Sequence, residues 1–267
     1  MNPISILISN RNSLEALQLT IEGIRFYTNY PYKIIVYDDC STNGVDIPYL
    51  KQAESKGWLK LYQGEKRVGH GGVLNELINK ICDTDYAIIM DSDTEVKGHN
   101  WIHDFLGVVS PDVIAVVDII DRRTTWKGYN IPVCDFSFGF LNMGLYRDDM
   151  KVDWRVMAGG TDRRQHPYKL IFADIYPPNK ASLDPRFNEN FVSIDPGGKF
   201  WLRVHYGNPK GYRMIPMPAV LKPKYHHHGH ISYISVIEDT FSEKIKQGRE
   251  AKFRIIRRQL KELRCQN

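Results

Sequence analysis

Hydrophobic positions in the first 120 residues fall into two alternating patterns, short apolar runs and stretches of helical spacing. Ile4 to Ser9 is a run of strand length, and Leu14, Leu17, Ile21 and Ile24 then recur at the three- and four-residue steps of a helix. Asn12 and Glu15 frame its start as a capping box. Lys33 to Tyr37 predicts a second strand and Trp58 to Tyr62 a third. Gly69 to Ile81 predicts another helix, with further strands at Tyr86 to Met90 and Val113 to Val117. Repeated β-α units imply an α/β fold, a largely parallel sheet covered by helices on both faces. Right-handed crossovers gather the strand ends on one edge. Asn10-Arg11, Asp38-Asp39 and Asp91-Asp93 all follow such strands and are expected around one pocket.

The second half is less regular. Asp135 to Tyr146 reads as a strand bordering that pocket; Trp126, Tyr129 and Trp154 could offer flat faces to a ligand, although core is the commoner place for such rings, and Arg122-Arg123 and Arg163-Arg164 could touch phosphate or, more commonly, lie on solvated surface. Near the end, Phe253, Ile256, Leu260 and Leu263 mark an amphipathic helix, and Arg249 to Arg264 holds seven basic residues against two acidic ones. The apolar stripe predicts docking on the body of the protein. The basic face leaves peripheral contact with nucleic acid or an anionic membrane open.

Composition sets outer bounds. A chain of 267 residues, 42% hydrophobic and 25% charged, suits one large domain or two closely packed ones. It has no apolar run of about 18 residues and its first residues lack a basic start, so a soluble, cytoplasmic protein is expected. Cys40, Cys82, Cys134 and Cys265 are too dispersed for a zinc site or disulfide framework, and reduced thiols are expected.

Asp91-Ser92-Asp93 is the most telling cluster. Paired carboxylates at a strand's carboxyl end can hold a divalent cation against the phosphates of a nucleotide, although an Asx-rich turn would use the same residues. Gly69, Gly71 and Gly72 at a helix start permit close approach of an anionic phosphate, and Arg67 adds a cation. His226, His227, His228 and His230 crowd five positions; in an extended segment the first, third and fourth named would face one side and His227 the other.

These segments, in this order and spacing over Ile4 to Val96, resemble the family 2 glycosyltransferases of the GT-A fold. ISILISNRNSLEAL is similar to the family's opening strand and helix, KIIVYDDCSTN to its strand and Asp-Asp-x-Ser-Thr, RVGHGGVLNELI to its Gly-rich segment, and YAIIMDSDTEV to its Asp-x-Asp motif. Cys40 stands where the family usually has Gly, which reduces the backbone freedom of that turn.

The resemblance implies an inverting enzyme that moves a sugar from a nucleotide-diphosphate sugar, a UDP-sugar by preference, to an acceptor hydroxyl. It implies a nucleotide-sugar-binding half over 1–120, an acceptor-binding and catalytic half over 121–233 and the basic helix over 234–267. Donor contacts would come from Ser9, Asn10, Arg11, Asp38, Asp39, Arg67, Gly69, Gly71, Asn75, Asp91 and Ser92. Mn²⁺ or Mg²⁺ would be held by Asp93, with Asp91 on the metal or ribose side, and by a histidine, His230 first and His228 second. Phe187-Asn188-Glu189-Asn190-Phe191 looks like the stretch before the family's general base, which makes Asp195 the candidate and Glu189 the reserve. Acceptors compatible with this site include a saccharide, a lipid-linked or small molecule, and a hydroxymethylated base in DNA. A nucleotidyltransferase and a non-catalytic nucleotide-sugar-binding protein are the rival readings.

Overall fold

The computed structural model describes residues 2–123, 130–155, 157–158, 193–194, 196–228 and 243–266. The first half runs β1 (Ile4–Asn10), α1 (Leu14–Tyr27), β2 (Tyr32–Asp38), α2 (Asp46–Ser55), β3 (Lys60–Gln63), α3 (Gly69–Glu76), β4 (Tyr86–Asp91), β5 (Thr94–Val96) and α4 (Trp101–Leu106). The remainder contains β6 (Val113–Arg123), β7 (Asn130–Asn142), β8 (Met157–Ala158), β9 (Ser193–Ile194), α5 (Pro196–Tyr206), β10 (Arg213–Ile215), β11 (Tyr225–His227) and α6 (Glu243–Gln266). The helix expected to reach Ile81 does so, but Leu77–Ile81 is wound as a π-helical turn.

Seven strands form one sheet in the order β10-β6-β7-β4-β1-β2-β3. Within it only β7 runs against its neighbours, antiparallel to both β4 and β6. The sheet is buried on both faces, as its near-continuous apolar strands require. In β1, Ile4, Ile6 and Ile8 enter one core with Trp101 and Phe105, while Leu7 enters the other with Val73, Leu77 and Trp154. This is an α/β architecture with helices on both faces. Trp154 departs from the expectation of a ligand platform: it is fully buried, ringed by Phe136, Tyr146 and Phe200. A large aromatic ring contributes most where it removes the most surface from water. Trp126, Tyr129, Arg163 and Arg164 lie outside the described residues.

Helix α1 begins without the expected capping box. Asn12 adopts a left-handed conformation (φ 48°), and its side-chain oxygen accepts the backbone N–H groups of Thr42 and Asn43. That bond ties the β1 and β2 loops together, so the Asn is used for tertiary closure. Glu15 pairs with Arg257 of α6 at 2.9 Å. The amphipathic stripe of α6 docks as expected: Ile256, Leu260 and Leu263 bury against Ala16 and Leu19 of α1, and Arg264 reaches Glu22 at 2.8 Å.

Candidate active site

The order of strands reverses at β1, which has β2 and β3 on one side and β4 on the other. Such a switch point leaves a crevice outside the carboxyl ends of the strands, where ligands of open α/β sheets bind. Parallel register aligns Asn10 with Asp38 and Ser9 with Asp91, so the three clusters meet on one edge.

At the β2 end every carboxylate is tightly engaged. The buried Asn10 amide donates to Asp38 Oδ2 (2.7 Å) and Asp46 Oδ2 (3.0 Å). Asp38 also accepts from the Ser41 backbone N–H (2.8 Å) and hydroxyl (2.6 Å). Asp39 accepts from the N–H groups of Val68 (2.7 Å) and Gly69 (2.9 Å), which pins the Gly-rich turn to β2, and Gly69 supplies the positive φ (73°) the turn requires. Arg11 donates to the Asp39 carbonyl at 2.8 Å. Arg67 is exposed, and Gly71 is buried in the first turn of α3.

Two expected nucleotide contacts are turned elsewhere. Ser92 is buried; its hydroxyl accepts from Ser13 and its carbonyl from Thr20, because it points away from the side that carries Asp91 and Asp93. The Asn75 side-chain oxygen accepts from Asn79 (2.8 Å) and the Trp154 N–H (3.4 Å), so it is used inside the protein.

At the β4 end the arrangement differs. Asp91, Asp93 and His227 each offer a ligand atom within 4.8 Å of the others. His227 Nε2 lies 3.1 Å from Asp93 Oδ1 and 3.5 Å from Asp91 Oδ2. His70 approaches Asp91 from the Gly-rich turn at 3.8 Å while its Nδ1 meets the Ser9 hydroxyl at 3.2 Å. Desolvation pushes the Asp91 carboxyl above its ordinary range, and the Asp93 and Asp135 charges add to this while His70 and His227 oppose it. Burial alone would lower the His227 pKa, but the hydrogen bond to Asp93 and the charges of Asp93, Asp91 and Asp135 together raise it. Two carboxylates and an imidazole held this close fit a divalent cation of the Mn²⁺ type.

His227 reaches the acids through β11, which pairs antiparallel with β5. His227 stands opposite Thr94, and the ladder is extended by His228 N–H to the Asp93 carbonyl (2.9 Å) and Lys97 N–H to the Lys224 carbonyl (2.7 Å). His226 and His228 share the other side, their rings 4.5 Å apart. His228, an expected ligand, is therefore buried beside Glu95, Nε2 to Oε2 3.3 Å, and does not join the cluster. Period-two alternation separates His227 from its neighbours, but only the register on β5 decides which side faces the acids. His230 lies outside the described residues, as do Asp195 and Glu189.

A family model described as Glycosyl transferase family 2 matches residues 5–172. No curated protein matches the chain in sequence. Among solved structures, mannosyltransferase PcManGT from Pyrobaculum calidifontis, in complex with GDP-Man and Mn²⁺, is 15% identical with a TM-score of 0.45, covering 98% of this chain and 85% of that one. TarS from S. aureus is 16% identical with a TM-score of 0.39, over 55% of this chain and 29% of that one. GalNAc-T7 with UDP, GalNAc and Mn²⁺ is 21% identical with a TM-score of 0.39, over 45% of this chain and 23% of that one. The chain thus spans less than a third of the latter two proteins.

Proposed function

The chain belongs to glycosyl transferase family 2, and from this premise we propose that it is an inverting, divalent-metal-dependent enzyme that transfers a sugar from a nucleotide-diphosphate sugar, a UDP-sugar by preference, to an acceptor hydroxyl. One observation carries the reading: Asp91, Asp93 and His227 converge at the switch point of the sheet, beside the Gly-rich turn. Asp93 and His227 are assigned to the metal, Asp91 to the metal or a ribose hydroxyl. Bound there, the cation would act as a Lewis acid toward the leaving diphosphate.

The remaining roles belong to the chain itself. Arg11, Asp38 and Asp39 would edge the pocket for the base and ribose, held rigid by the Asn10 amide on Asp38, the Gly69 N–H on Asp39 and the bond from Arg11 to the Asp39 carbonyl. Past the Val68 and Gly69 N–H groups held by Asp39, the first turn of α3 would offer its next N–H groups and His70 to the diphosphate. Asp195, with Glu189 in reserve, would take the acceptor proton on the face opposite the leaving group; this rests on sequence alone. In this division 1–120 supplies the nucleotide side of the donor site, and 121–233 adds His227 and serves the acceptor and the chemistry.

A thermal-shift measurement tests the reading. UDP with Mn²⁺ at about 100 times the dissociation constant should stabilise the protein by roughly 2.7 kcal/mol, and Asp93→Ala should abolish the shift. The absence of a shift with any nucleoside diphosphate would overturn it.

A further inference from the structure

We infer that Asp135 of β7 binds the transferred sugar and sets donor-sugar specificity, an assignment that rests on the proposed donor-binding reading. The argument begins with the order of strands. From β2 through β1 and β4 to β7 and β6, the crevice edge carries in turn Asp38, Asn10, Asp91, Asp135 and Asp118. A nucleotide sugar laid with its base at β2 and its diphosphate at the Asp91-Asp93-His227 cluster projects its sugar over the next strand, about 5 Å further along. That strand is β7.

Asp135 is built into place there by an irregularity. Val117 pairs with Gly139 and the next residue, Asp118, pairs with Asp135, so Phe136, Ser137 and Phe138 bulge out of the ladder with β6, while Phe138 keeps its place opposite Met90 of β4. Bulges next to active sites re-aim side chains. This one is anchored on both faces of the sheet, with Phe136 against Trp154 and Phe200 and Phe138 stacked on Tyr225 at 4.3 Å. Thr94, directly after the metal-side acid, donates its hydroxyl to the Ser137 carbonyl at 2.7 Å. Gly139 makes room for the bend, since a Cβ there would lie 2.8 Å from the Phe136 ring.

The bulge leaves Asp135 half-buried, with Oδ1 accepting the Ser137 N–H at 2.9 Å and no further hydrogen bond among the described residues. The pairing of Met90 with Phe138 sets this part of β7 beside the strand end that carries Asp91, and the Asp135 charge acts on both Asp91 and His227. Its cross-strand neighbour Asp118 is already served by the Tyr225 hydroxyl at 3.2 Å. A rigid carboxylate with an oxygen to spare, next to the expected position of the diphosphate, is an acceptor for sugar hydroxyls, and charged acceptors of this kind discriminate strongly between ligands that do and do not present the donor.

Calorimetry at saturating Mn²⁺ separates this assignment from the reading beneath it. UDP, GDP, UDP-glucose, UDP-N-acetylglucosamine and GDP-mannose are titrated into wild type, Asp135→Asn and Asp135→Ala. The expected result is that both variants bind the preferred nucleotide sugar about 10- to 100-fold more weakly while the matching diphosphate changes by less than about 2-fold. Retained diphosphate binding also reports that the variants are folded. Equal losses for diphosphate and nucleotide sugar, or no loss for either, would overturn the Asp135 assignment alone. Failure of wild type to bind any of the five would overturn both.

Discussion

The strand ends on either side of β1 carry paired carboxylates, and the protein treats them in opposite ways. At β2, Asp38 and Asp39 are saturated by the Asn10 amide, the Ser41 N–H and hydroxyl, and the N–H groups of Val68 and Gly69. At β4, Asp91 and Asp93 lie near one another and near Asp135, with His227 between them and His70 at the edge. The first pair is held rigid by protein donors at the edge of the pocket. The second concentrates negative charge, which an added cation would relieve. Equal sequence signatures, Asp-Asp and Asp-Ser-Asp, thus support different duties because of what surrounds them.

The sharpest way to break this contrast is to remove one acid from each end and measure unfolding by denaturant without metal. Asp38→Ala strands the buried Asn10 amide and Ser41, and should cost about 3 to 5 kcal/mol. Asp93→Asn relieves repulsion, so its metal-free stability should match or exceed wild type while the shift of roughly 2.7 kcal/mol on adding Mn²⁺ and diphosphate disappears. Were Asp93→Asn the more damaging of the two in metal-free buffer, the contrast would fail. His227→Ala should weaken Mn²⁺ binding by at least about 10-fold, whereas His228→Ala should leave it within about 3-fold and act on stability through the loss of its buried contact with Glu95, which keeps Lys97 as a partner. Titration followed by manganese paramagnetic relaxation distinguishes them. The smallest effect is expected at Cys40, whose φ of 57° strains a residue with a side chain. Cys40→Gly should stabilise by at most about 1 kcal/mol, read from the denaturation midpoint.

β1, β2 and β4 were legible because each is an apolar run long enough to span the sheet, and the gathering of their ends on one edge follows from right-handed crossovers. The docked face of α6 was legible for a similar reason, since Ile256, Leu260 and Leu263 repeat at helical spacing. The histidine was not. Tyr225 to His228 is too short to fix its own register, and β5, its partner, is a three-residue strand following the acids. Asn12 misled for a related reason: the residue suits a helix cap, but the loop around Thr42 offered its side chain a bond that local sequence cannot reveal. Ser92 and Asn75 sit within matching motifs, yet each is bonded inside the protein, Ser92 by Ser13 and Asn75 by Asn79, through contacts that local sequence cannot reveal.

The contact of His227 with Asp93 joins chain positions that flank the whole of β6 to β10. An ion held across it would be a cross-link as well as a Lewis acid, closing a long loop whose entropic cost of closure rises only slowly with length. Its loss would therefore be felt in the chain's freedom. Chelation should loosen β5 and β11 first and raise amide exchange there, while β1, β2 and β4, paired among themselves, keep their protection.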